Sequence, residues 1–221
     1  MHYTVANQEL EKRLPAGVEL DLYEGTAWLG LVPFMMSGVM RRPFPDMPYF
    51  SAFPELNLRT YVVVDGKPGV WFFSLDAHSY PIVIGGRALY NLPYHYAQQK
   101  LSKLTDGHEF QSQRKSDSVS FHARYRPTAK EFFAIPGTFE HWATERYCLY
   151  SMSGDRELQR VDVHHVAWPL QSAEVEIFSN DIIDATGIPV SSDIPRCHYS
   201  RGVHVVSYEK QSCGEKVDMS V

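Results

Sequence analysis

The stretch Phe53–Ala97, FPELNLRTYVVVDGKPGVWFFSLDAHSYPIVIGGRALYNLPYHYA, leaves this chain few folds to choose from. Its first run alternates: Glu55, Asn57, Arg59 and Tyr61 share one face of a strand, and Leu56, Leu58 and Val62 share the other. Asp65-Gly66 is hairpin-turn sequence, and Val70 to Asp76 returns as a second strand. Gly85 to Pro93 reads as a short helical run closed by proline, with Tyr94-His95 opening the next strand. A one-residue slip would exchange the two faces of such a strand, so the pattern fixes its register.

The period of two recurs on both sides. Val18 to Leu22 alternates, and Thr26 to Met36 is apolar on both faces, as suits a strand covered on both sides. Tyr94 to Leu104, Glu109 to Arg114 and Val119 to Arg126 read as a meander. In its third strand Val119, Phe121, Ala123 and Tyr125 face one way and Ser120, His122, Arg124 and Arg126 the other. Arg146 to Met152 and Leu158 to Ala167 form a hairpin about Ser153-Gly154-Asp155; Ala173 to Phe178 and Gly202 to Tyr208 complete the strands. Helical segments are expected at Gln8 to Leu14 (capped by Asn7), at Thr138 to Thr144, and from Asn180-Asp181 to Gly187. Arg41 to Pro54 carries Pro43, Pro45, Pro48 and Pro54 and is expected to lie as a loop across the mouth of the structure. Beside it Tyr49, Phe50 and Phe53 read as a lid, an oligomer contact or core. The polar tail from Lys210 is expected to be mobile. About ten short strands with three or four short helices give a strand-rich α+β fold or a closed barrel. With no repeat or linker in 221 residues, residues 1–221 read as one domain.

Composition narrows the partners. Lys and Arg number 21 against 26 Asp and Glu, a net charge of -5, so no basic stripe for nucleic acid is expected. Neither a signal peptide nor an apolar run approaching about 20 residues is visible, so no membrane partner and a cytoplasmic location are expected. Cys148, Cys197 and Cys213 form no CxxC pair, in keeping with a reducing compartment. The adjacent rings of His164 and His165 face opposite ways, and His122, His141, His198 and His204 are scattered, so no metal is expected. GxSxG, Walker and GxGxxG motifs are absent, and no cofactor is expected. Gly85-Gly86 has two readings, an anion site at a helix N-terminus or close helix–strand packing.

The runs Ser51 to Tyr61, Gly69 to Asp76, Leu92-Pro93-Tyr94-His95, Thr144-Glu145-Arg146-Tyr147 and His198-Tyr199-Ser200 resemble the YqjF-like family of uncharacterised bacterial proteins, over nearly the whole chain. That resemblance implies a further family strand before the segment matching Val5 to Leu14, which is either absent here or lost to a late start of the sequence. A more distant resemblance joins Leu10 to Leu20, and Gly85 to Pro93, to the acetoacetate decarboxylases. It implies a closed, cone-shaped, mostly antiparallel β-barrel with a buried cavity, often oligomeric. In that family two adjacent lysines follow the proline, and one forms a Schiff base with an oxo acid. The matching positions here are Tyr94 and His95, and Glu55 falls where the family's active-site glutamate is expected. A Schiff base needs a primary amine, which neither tyrosine nor histidine offers. Acetoacetate decarboxylation itself is therefore not expected.

The candidate site follows from these residues. Glu55, Asn57 and Arg59 stand about 7 Å apart in succession, too far to pair along the strand but able to point into one cavity. There Arg59 would clamp a carboxylate; a solvated outer face is the competing reading. Ser74 and Asp76, sharing a face with Val70 and Phe72, would enter from the next strand, unless Asp76 caps the turn at Ala77-His78. Arg87 is a further ligand-binding candidate. His95 would transfer protons near neutral pH and Tyr94 would donate to a developing oxyanion, although adjacent strand residues face opposite ways and only one can line the cavity. A hydrogen-bonded structural histidine is the alternative for His95. Two functions stay open: a barrel that binds a small carboxylate or carbonyl compound and turns it over by acid–base chemistry, or a ligand-binding or interaction protein that has lost the catalytic lysines. The expected partners are a small-molecule ligand and further copies of the chain.

Overall fold

Alternation becomes a ladder where the sequence is most regular. Strands β4 (Phe53–Val64) and β5 (Lys67–Ala77) pair along nearly their whole length. They are joined by Asp65 and Gly66, whose φ angles of 50° and 74° are those of a type I′ hairpin turn. The structure, a computed structural model, describes residues 1–38, 52–192 and 194–213. Around this hairpin the sheet runs in the order β1 (His2–Val5), β3 (Ala27–Met36), β4, β5, β6 (Tyr94–Lys103), β7 (His108–Arg114), β8 (Ser120–Pro127), β12 (Pro169–Asn180), β13 (His198–Ser200). Branching from this path are β2 (Glu19–Leu20) on β4, β9 (Phe132–Phe133) on β12, and a limb of β10 (Cys148–Met152), β11 (Leu158–His165) and β14 (Val205–Ser212) attached to β5. Fourteen strands and four short helices are formed among the described residues: α1 (Asn7–Glu11), α2 (Tyr80–Tyr90), α3 (Phe139–Thr144) and α4 (Asp181–Asp184). None of these helices is long and apolar enough to cross a membrane.

The expected closed, mostly antiparallel barrel takes the form of a curled, mixed and open sheet. Two ladders are parallel, β5 with β6 and β5 with β10. The first follows from α2, an eleven-residue crossover that brings the chain back in the same direction. Among the described residues the ladders end at β1 and β13, and the isolated bridges His2–Arg196 and Val5–Val190 link β1 to the segment before β13. Pro189 and Pro195 lie in that segment, and a proline has no N–H to give to a ladder.

Both faces of β4 and β5 are covered. One carries the largest core, where Leu29, Leu31, Leu56, Leu58, Phe110 and Phe121 meet Ile182 and Ile183 of α4. The other is covered by Val83 of α2 over Leu75 and Tyr94, and by Phe139 and Ala143 of α3 over Tyr61 and Val70. Register also shifts within β5. Phe72 opposes Arg59 and Ser74 opposes Leu58, so Phe73 is the extra residue of a β-bulge.

Several sequence expectations move. The helix expected from Gly85 begins at Tyr80, with Pro81 in its first turn, and ends at Asn91, whose φ of 52° is left-handed. Gly85-Gly86 therefore lies inside the helix, and a Cβ on Gly86 would sit 2.4 Å from the Tyr94 ring, so its role is close packing. Asn7 does not cap α1, which starts after Ala6. Its side chain instead donates to Gly25 O and accepts from Ala27 N. Residues 2–5, to which the sequence pattern assigns no element, form β1, and Lys210 to Ser212 belong to β14 rather than to a mobile tail. Phe53 and Pro54 are in β4, whereas Pro43, Pro45, Pro48, Tyr49 and Phe50 lie outside the described residues.

Candidate functional site

Directly opposed strand residues share a face, so the ladders say what surrounds each side chain. Glu55 stands between Phe34 and Ala77, Asn57 between Val32 and Leu75, and Arg59 between Gly30 and Phe72. Tyr94 opposes Leu75 across the parallel ladder and so enters the same face. Its hydroxyl donates to Glu55 Oε2 at 3.1 Å, and the Asn57 side chain also hydrogen-bonds the carboxyl. Glu55 is 3% exposed and has no cation beside it among the described residues. Burial pushes its pKa up to about 7; the hydrogen bonds from Tyr94 and Asn57 pull it down and the negative charge of Asp76 adds to the rise. Burial and the adjacent Glu55 push the Tyr94 hydroxyl well above its ordinary range, so it stays a donor at neutral pH.

Along this face polar atoms are enclosed without partners. Asn57 Oδ1, Arg59 Nε and Trp28 Nε1 are buried and make no hydrogen bond. Trp28 lies two residues from Gly30 on β3 and so projects on the Arg59 side. No carboxylate pairs with Arg59 among the described residues; its guanidinium carbon lies 5.8 Å from the centre of the Tyr61 ring. Gly30 keeps this space open, since a Cβ there would come within 3.2 Å of Tyr61 Oη. Buried donors and acceptors left in this condition mark where water or a ligand belongs.

The bulge at Phe73 sends Ser74 and Asp76 to the opposite face, correcting the expectation that they share a face with Val70 and Phe72. His95 opposes Asp76 and goes with them, so the sheet separates His95 from Glu55 and the two cannot act on one atom. Asp76 is wholly buried and paired with Arg114, whose Nε donates to Oδ2 at 2.7 Å and Nη2 to Oδ1 at 2.8 Å. The same Nη2 donates to Ser74 Oγ at 2.5 Å. Gln99 Nε2 donates to the Asp76 carbonyl and to Ser112 Oγ. Burial and the Arg114 cation lower the pKa of His95, against the pull of Asp76. Arg87, on α2, donates from Nε to the Tyr94 carbonyl at 2.6 Å and so anchors the start of β6. Arg114 was missed in the sequence. Its signal was parity: Phe110, Ser112 and Arg114 alternate on one face, which put the arginine on the side of a core phenylalanine.

The curled sheet and its helices define an acetoacetate decarboxylase-like fold. The chain superposes on acetoacetate decarboxylase from Legionella pneumophila subsp. pneumophila str. Philadelphia 1 with a TM-score of 0.62 at 13% identity, covering 96% of this chain and 82% of that one. A second acetoacetate decarboxylase structure gives 0.65 at 14% identity, with 99% and 86% covered. The enduracididine biosynthesis enzyme MppR complexed with pyruvate gives 0.58 at 14%, with 96% and 84% covered. Within that fold the chain belongs to the DUF2071 family, described as an uncharacterized conserved protein, which it matches over residues 1–204. The Uncharacterized protein YqjF of Bacillus subtilis (strain 168) is 43% identical over 201 residues, 90% of this chain and 83% of that protein.

Proposed function

We propose that the protein binds a small carboxylate or carbonyl compound on the Glu55 face and moves a proton on it without a covalent intermediate. The observation that carries this reading is the set of unpartnered buried atoms, Asn57 Oδ1, Arg59 Nε and Trp28 Nε1, beside a carboxyl that titrates at about 7. Arg59 takes the ligand's carboxylate, its buried Nε gaining the partner it lacks. Glu55 gives or accepts the proton, since a group half-protonated near neutral pH serves in both directions. Tyr94 holds the carboxyl in place through its hydrogen bond. A fold neighbour complexed with pyruvate, a 2-oxo acid, supports a ligand of this class. In this reading the His2–Arg196 and Val5–Val190 bridges close the cone. The tightness of the enclosure favours a second reading, binding without turnover, because Glu55 is only 3% exposed.

A panel of 2-oxo acids and short carboxylates in a thermal-shift assay, with native mass spectrometry of gently purified protein, tests both. Binding is expected to raise the melting temperature of the parent and to be lost in Arg59→Met. In deuterium oxide the parent is expected to exchange the protons next to the ligand's carbonyl, followed by proton NMR, and Glu55→Gln to bind but not exchange. Binding without exchange in the parent selects the second reading. No stabilising ligand, with both variants as stable as the parent, sinks the site.

A further inference from the structure

The wall made by β4, β5 and β6 has a second working side. Behind it lies an open cavity of about 450 Å³, bounded by Ser74, His95, Arg114, Arg13 and Thr186. Glu55, Asn57 and Arg59 project from the other face and take no part in it. Two of the polar groups here, Arg114 and Arg13, are donors with capacity to spare. Arg114 spends Nε and Nη2 on Asp76 and Ser74, while its Nη1 has Asp117 only at 4.0 Å, beyond hydrogen-bond reach. Arg13 fixes Nη1 and Nη2 on the carbonyls of Thr186 and Gly187, at 2.9 and 2.6 Å, and its buried Nε has no partner. Asp76 balances one of the two guanidinium charges, and Asp117 stands at the rim with its side chain 43% exposed. The remaining wall is apolar, from Phe73, Ala185 and Ile188.

We propose that this cavity is a separate binding site for a short-chain carboxylate, held at its oxygens by Arg114 Nη1, Arg13 Nε and His95, with its alkyl end against Phe73 and Ile188. The oxygens complete the donors that the protein leaves open, and the volume has ample room for a ligand of a few carbons. The imidazole is faced by Asp76 from β5, Arg114 and Asp117 from the end of β7 and the turn after it, and Arg87 from α2. Arg13 reaches the same cavity from beyond α1. A bound anion adds negative charge beside this ring and favours its protonated form, so binding tightens as pH falls through the His95 titration.

The probe is butyrate, with inorganic phosphate as the competing oxyanion, read from the His95 ring signals by carbon–proton NMR of the full chain. His95→Gln assigns those signals. Butyrate is expected to shift them saturably and to bind more tightly at pH 5.5 than at pH 7.5. Arg13→Met should weaken it roughly tenfold, the worth of about one charge-assisted hydrogen bond. Glu55→Gln, which alters the opposite face, should leave the His95 response in place even if the site proposed around Glu55 fails. Unmoved His95 signals overturn the proposal, and so does a response to phosphate without one to butyrate. A butyrate response that vanishes in Glu55→Gln overturns the claim of a separate site.

Discussion

Glu55 is where burial and chemistry compete most directly. The folded carboxyl keeps its proton up to a pH of about 7, against an ordinary value of 4.5. Between these values the folded state binds more proton than the unfolded state, so stability falls as pH rises through that window. Below about 4.5 the contribution is fully present; above about 7 it is lost, a difference on the order of 3 kcal/mol. Glu55→Gln should therefore flatten the dependence between pH 4.5 and 7 and stabilise the protein at pH 8, as urea denaturation at several pH values would show. Asp76 and Arg114 make the opposite case, a buried carboxylate held by two hydrogen bonds from one guanidinium. Arg114→Met strands a buried carboxylate and should cost about 3–5 kcal/mol. Combining it with Asp76→Leu should recover part of that loss, and a double-mutant cycle by denaturant unfolding measures how much.

At the level of the element, the bulge in β5 decides which side chains meet. Phe73 is the residue that restores parity, so removing it leaves Phe72 opposite Arg59 and Ser74 opposite Leu58. A Phe73 deletion should therefore keep the fold, with a circular dichroism spectrum like the parent's. Deleting Leu75 shifts Asp76 to the Asn57 side, breaks its pairing with Arg114, and should leave the chain unfolded or insoluble. The bulge also marks the limit of what could be read in advance. The alternation of Glu55, Asn57, Arg59 and Tyr61 was legible because β4 is regular, and so was the meander of β6 to β8. Ser74 and Asp76 were misassigned because an unpaired residue leaves no trace in a run such as Val-Trp-Phe-Phe-Ser, whose side chains suit either face. The short strands β1, β9 and β13 escaped notice because two to four residues are too few to show a period. The start of α2 was obscured by Pro81, which sits in a first turn where its missing N–H costs nothing.

For the molecule as a whole, the sheet is a partition with a core on each side, and stability should be graded along it. Amide hydrogen exchange is expected to be slowest in β4 and β5, paired on both edges and covered on both faces, and fastest in β14, whose residues are all exposed. Equal protection of β14 and β4 would mean that the limb from β10 to β14 is covered in solution. The partition is one strand thick, and at Tyr94 and His95 it is one peptide bond thick. Consecutive letters of the sequence thus face surroundings that share no side chain, as two rooms share a party wall. Exchanging those letters would swap the furnishings: an imidazole would face the Glu55 carboxyl, and a phenol would stand beside the guanidinium of Arg114.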